Sequence, residues 1–188
     1  MTQTTSISTA LKRATGILDQ IQASIEKDSG AKADLKRSLT GELRHRRAVY
    51  PLILRHLSET EVQYNLEQWL LVTGFLGYYR QNLHPENRLT FGDSARKLLT
   101  EGSSKGPERR FRTLLETSLE DLRSPLTAMV RLMKSKGIPI DYSQLLVDLK
   151  YWEHPDQFIQ DKWARAFWNA PRSTNETDEE GSNDLTES

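Results

Sequence analysis

The sequence predicts an all-α protein made of two small helical bundles packed together. Apolar residues recur at three- and four-residue steps over most of the chain up to Trp168, and no stretch alternates with a period of two. Serine, aspartate, glycine and proline stand at the joints between those runs, where helices start and stop. Of the 188 residues 36% are hydrophobic and 28% charged, which suits a small helical protein with much exposed surface.

The first lobe is assigned to residues 1–102. Residues 1–31 hold one amphipathic helix whose apolar face is Leu11, Ala14 or Ile17, Leu18, Ile21 and Ile25. Asp28-Ser29-Gly30 should end it, with Gly30 as a left-handed cap. A short basic helix follows over 31–39 and breaks near Gly41. Residues 43–57 read as a loop and then a helix with Pro51 in its first turn. Ser58 and Glu61 have the spacing of a capping box. The helix they open carries Val62, Leu66, Trp69, Leu70, Thr73, Phe75 and Leu76, is apolar on most sides, and is placed at the lobe's centre. Gly74 and Gly77 should admit a close helix neighbour. His84-Pro85 breaks the pattern, Phe91-Gly92-Asp93-Ser94 leads into a helix over 95–99, and residues 101–106 (EGSSKG) form a linker.

The second lobe is assigned to residues 107–170. Pro107 fits a first helical turn that turns Phe111, Leu114 and Leu115 inward and leaves Arg109, Arg110 and Arg112 outside. Pro125 should start the next helix, with the apolar stripe Leu126, Met129, Val130 and Met133 and a separate face of Thr127, Arg131 and Lys134. Gly137 stops it and Pro139 prevents it resuming. Asp141 with Gln144 caps a helix presenting Tyr142, Leu145, Leu146 and Leu149. After His154-Pro155 a last helix carries Phe158, Ile159, Trp163, Ala166 and Phe167. Residues 171–188 hold one Arg and six acidic residues with nothing to build a core, and are read as a disordered acidic tail.

Several kinds of chemistry find no residues. Cysteine is absent, which removes thiol nucleophiles and thiolate metal sites and fits a cytoplasmic protein. The four histidines show no metal-ligand spacing, and no phosphate-binding glycine loop or nucleophile elbow occurs. No apolar run is long enough to span a membrane. The expectation is a protein without enzymatic activity, cofactor or metal. Helical spacing assigns Tyr151, Trp152, Phe158, Trp163, Phe167 and Trp168 to the core in preference to a base-stacking platform. The turn at Gly137 suggests helix-turn-helix, but the would-be recognition helix has Lys150 as its one basic residue.

The formal net charge of zero hides a division. With the tail set aside, residues 1–170 carry 25 basic and 20 acidic residues. The excess is concentrated in residues 32–55, with seven basic and two acidic, and in 94–136, with ten and five. Such clusters mark either a polyanion-binding face or a solvated helix surface. No acid lies within four positions of Arg131 or Lys134.

The run ERRFRTLL and the succession VRLMKSKGIPIDYSQLLVDLKYWEHPDQFIQDKWARAFW resemble the CasB family, the small subunit of the type I-E CRISPR surveillance complex, Cascade. FGDSARKLL and, more weakly, GAKADLKRSL extend the resemblance over roughly residues 30–168. It implies two small helical bundles without catalysis, bound to other Cascade subunits and to another copy of itself. It further implies contacts with CRISPR RNA, target DNA and the displaced strand that stabilise the R-loop. Carried over position by position, the nucleic-acid-binding residues would be Lys36, Arg37, Arg96, Lys97, Arg109, Arg110, Arg131, Lys134, Lys136, Lys162 and Arg165. Lys36 stands where the family usually has Arg, and Asp161-Lys162 where it tends to have paired Arg. The competing reading is a helical adaptor whose basic faces dock acidic partner proteins. On either reading the tail would be a solvating appendage that discourages non-specific binding of nucleic acid.

Overall fold

A computed structural model describes residues 2–99 and 105–168. Among them are ten α-helices and one 3-10 turn, and no strand. The expected linker falls largely outside the described residues, and the acidic tail falls wholly outside them.

Helix α1 (Thr2–Lys27) ends where Asp28 accepts the Ala31 N–H at 3.0 Å and so caps α2 (Ser29–Ser38). Gly30 therefore lies in the first turn of a new helix and does not form the left-handed cap expected of it. Among the described residues the left-handed glycines are Gly41 (φ 78°) and Gly137 (φ 66°). Residues 43–57 are helical almost throughout, which corrects the loop expected at their start. They form α3 (Leu43–Ala48), then α4 (Tyr50–Ile53) with Pro51 in its first turn, then a 3-10 turn at Leu54–His56. No side chain of α3 is buried, so its sequence carries no apolar period by which to find it.

Helix α5 (Glu59–Tyr78) opens with the full Ser58/Glu61 capping box and is buried on all sides over residues 68–77. Gly74 and Gly77 lie against α2, where an added Cβ would run into the Leu39 and Leu35 side chains and the α2 backbone. Helix α6 (Phe91–Arg96) begins four residues before the helix expected there. Thr90 and Asp93 form a second capping box, so the turn read as a lead-in is already helical.

Helix α7 (Gly106–Leu115) has Pro107 in its first turn and buries Phe111 and Leu114. Helix α8 (Arg123–Ser135) starts two residues before Pro125 and buries the predicted stripe. At its end Gly137 N–H bonds the Lys134 carbonyl at 3.1 Å and Ile138 N–H the Met133 carbonyl at 2.9 Å, the paired bonds of a Schellman stop. Asp141 caps α9 (Tyr142–Lys150) through the Gln144 N–H. Helix α10 (Phe158–Trp168) closes the described chain.

Helix α9 packs against α1 and α5, α6 against α10 and α8, and α7 against α8. One cluster of buried side chains therefore runs through both halves of the chain. The Tyr142 hydroxyl donates to the Tyr79 carbonyl at 2.6 Å, with the Phe75 carbonyl, which already takes the Tyr79 N–H, at 3.3 Å, and so ties α9 to the end of α5. Burial pushes that phenol well above the ordinary tyrosine value. Among the described residues no helix is long and apolar enough to cross a membrane.

Candidate nucleic-acid interface

Amphipathic folding decides which cations reach the surface. With Phe111 and Leu114 turned into the core, Arg109, Arg110 and Arg112 of α7 are exposed. With Met129, Val130 and Met133 turned in, Arg131, Lys134 and Lys136 are exposed along and just past α8. Arg96 and Lys97 are exposed at the end of α6. Among the described residues, the side chains of Arg96, Lys97, Arg109, Arg110, Arg131 and Lys136 take no hydrogen bond and no ion pair.

Other candidate residues are engaged. Lys134 donates to the Tyr78 carbonyl at 2.7 Å, and its ammonium lies 4.0 Å from the Tyr78 ring centroid. Lys36 of α2 approaches the same ring at 6.0 Å, so α2 and α8 each bring a cation to Tyr78. Arg37 is held by Asp34 at 2.9 Å. Lys162 donates to Asp148 at 3.2 Å, while Arg165 is exposed one turn further along α10. Arg112 pairs with Glu108 at 3.2 Å and lies 5.7 Å from the Trp168 ring centroid.

Three of the carboxylates that neutralise cations are buried, Glu61, Asp141 and Asp148, whereas Glu42 and Glu67 are exposed and Asp34 and Glu108 half-buried. Glu61 accepts from Arg13 at 2.7 Å, from the Ser58 N–H at 3.0 Å and from Lys150 at 3.4 Å. Burial alone would raise its pKa, but the Arg13 and Ser58 hydrogen bonds and the Lys150 charge outweigh it and bring the pKa down to about 2. Asp141 takes Arg88 at 3.0 Å. Asp148, sealed in α9, accepts from Gln144 at 2.8 Å, Trp163 Nε1 at 2.7 Å and Lys162. Burial still pushes its carboxyl up, against the pull of Lys162, Trp163 and Gln144.

Sequence reasoning missed two of these clusters. The three donors that meet at Asp148 come from positions on two helices that share no local pattern. Glu67 of α5 bonds both Arg46 of α3 and Arg123 of α8, the latter at 3.1 Å. Burial lowers the Arg123 pKa, Glu67 raises it and Arg46 lowers it again. The aromatic expectation also needs correction. Trp152, Trp163 and Phe167 are core residues, with Phe167 stacked on Phe111 at 4.1 Å, whereas Phe158 and Trp168 are exposed.

The family model of CRISPR-associated protein Cse2 matches residues 31–168. The CRISPR-associated protein Cse2 of Thermus thermophilus is 34% identical over 77 residues, covering 41% of this chain and 44% of that relative. The aligned stretch thus spans less than half of the relative's length. Among solved structures, CasB from Thermus thermophilus is similar with a TM-score of 0.65 at 25% identity, over 84% of this chain and 98% of that one. M. ruber CasB matches with a TM-score of 0.65 at 26% identity, over 84% and 93% of the two chains. A chain of a CRISPR RNA-guided surveillance complex shares the fold, with a TM-score of 0.68 at 18% identity over 86% and 93%.

Proposed function

This chain belongs to the CRISPR-associated Cse2 family, and on that premise we propose that it is the non-catalytic small subunit of Cascade. In that role it sits beside the other Cascade subunits and a second copy of itself. It holds target DNA, the displaced strand and CRISPR RNA by their phosphate backbones and so stabilises the R-loop. The observation that carries the reading is the set of exposed cations on α6, α7 and α8 that have no acid partner among the described residues. Phosphate contacts position a strand without reading it, which suits a complex that must accept any guide. R-loop formation exchanges one duplex for another at nearly equal free energy, so modest backbone contacts can tip it.

The test is charge reversal of Arg109, Arg110, Arg131 and Lys136 to Glu in the assembled complex. Lys134 is left intact because its ammonium also ties α8 to Tyr78. Assembly should survive, the R-loop should shorten its lifetime, and the salt dependence of binding should flatten by about one unit for each phosphate that is no longer neutralised. An unchanged R-loop lifetime in a correctly assembled complex would sink the assignment. Loss of the subunit from the complex before any effect on DNA would favour the adaptor reading.

A further inference from the structure

We propose that Trp168 is a stacking platform for one unpaired base of a single-stranded nucleic acid, with the neighbouring guanidiniums seating its flanking phosphates. The proposal rests on the reading that the basic faces bind nucleic acid, and it names a contact that does not depend on charge.

Three of the four tryptophans, Trp69, Trp152 and Trp163, are at most 1% exposed, while Trp168 is 41% exposed. The cause is local. Phe167 takes the core position and stacks on Phe111 with only 13° between the rings. The next residue along the helix is therefore turned out of the apolar stripe. The indole stands nearly perpendicular to both phenylalanine rings, at 79° to Phe167 and 68° to Phe111, and these buttress it from the core side. Arg112 lies 5.7 Å from its centroid, with Arg109 one turn earlier on α7 and exposed Arg165 one turn earlier on α10.

An aromatic face beside a row of cations is the pairing that single-strand binding uses, because every base has a face to stack whatever its sequence. The other exposed aromatics stand in more acidic company. Tyr64 lines a groove whose two arginines, Arg46 and Arg123, are both tied to Glu67 and which also carries Glu120 and Glu153. Phe158 sits against His154 and Tyr151, in a turn that also carries Glu153 and Asp156. The simpler role for Trp168 is to cap the Phe111–Phe167 stack, and a cap would be indifferent to added bases.

The sealed state of the other three indoles makes Trp168 its own reporter. Acrylamide should quench a large part of the emission of the full-length chain, and that part should vanish in Trp168→Phe. The chain is then titrated at low salt with oligothymidylate and with an abasic oligonucleotide of equal length. Both should bind, but only oligothymidylate should quench. Trp168→Ala should weaken oligothymidylate about tenfold and leave the abasic strand unchanged. Trp168→Phe should restore most of the loss. An indole shielded from acrylamide, or equal binding of the two strands without quenching, overturns the stacking proposal and leaves the phosphate reading standing. Failure of both strands to bind at low salt overturns the phosphate reading as well.

Discussion

The seam where α1 meets α5 and α9 and the outer faces of α6, α7 and α8 use the same charged side chains to opposite ends. In the seam Glu61 is shared by Arg13 and Lys150, and Asp141 takes Arg88. On the outer faces Arg96, Lys97, Arg109, Arg110 and Arg131 have no such partner among the described residues. The contrast divides the two basic segments of the sequence unequally. In residues 32–55, Arg37, Arg44 and Arg46 are each tied to a carboxylate, Asp34, Glu42 and Glu67 in turn. In residues 94–136 only Arg112 and Arg123 are, among the described residues. Equal net charges therefore conceal different reserves of free cation, and the later segment holds more of it.

Substitutions on the two sides should separate stability from binding. The largest loss should follow Asp148→Ala, which strands the buried Trp163 N–H and the Gln144 amide and takes the counter-charge from the half-exposed Lys162. Urea unfolding should show a loss of about 3 kcal/mol, and a loss under about 1 kcal/mol would mean that water replaces the carboxylate. Next, Glu61→Gln should cost about 2 kcal/mol at neutral pH, because Arg13 and Lys150 lose their counter-charge.

The Glu61 pKa near 2 in the folded chain lies below the unfolded carboxylate value of about 4.3. Within that window the unfolded chain binds more protons. The stabilisation is therefore complete above the unfolded value and is lost as pH falls towards 2. Acid unfolding of Glu61→Gln should show a shallower dependence on pH over the same range, and parallel curves would remove Glu61 as the source. The smallest effect belongs to the other side. Arg109→Ala with Arg110→Ala should move the unfolding free energy by less than about 0.5 kcal/mol. A larger shift would mean that these arginines have structural partners after all.

Local signals made most helices legible, and tertiary contacts hid the rest. The Ser58 box, the Gly137 stop and the Asp141 cap are written within four residues and were readable. The Thr90–Asp93 box is just as local, yet Gly92 inside it reads as a loop residue until its role against α10 is seen. Helix α3 buries nothing and so had no period to show. For the site, exposure of Arg109, Arg110 and Arg131 follows from the apolar stripes beside them. That Lys162 is committed to Asp148 depends on a carboxylate fourteen positions away on another helix, which no local pattern displays. Trp168 continued an aromatic run, and only the Phe111–Phe167 stack decides which of two adjacent rings goes inside.

The glycine at position 92 has a consequence for how charge is spaced. A Cβ there would overlap the Trp163 carbonyl, so α6 meets α10 backbone to backbone with no side chain between them. Side chains at a helix contact can repack and let the axes drift, whereas two main chains in contact cannot. Arg96 at the end of α6, Lys97 just past it and Arg165 on α10 are therefore mounted on a single rigid ruler. Any polyanion lying across both helices meets cations at intervals set by main chain, and it must fit those intervals or bend to them.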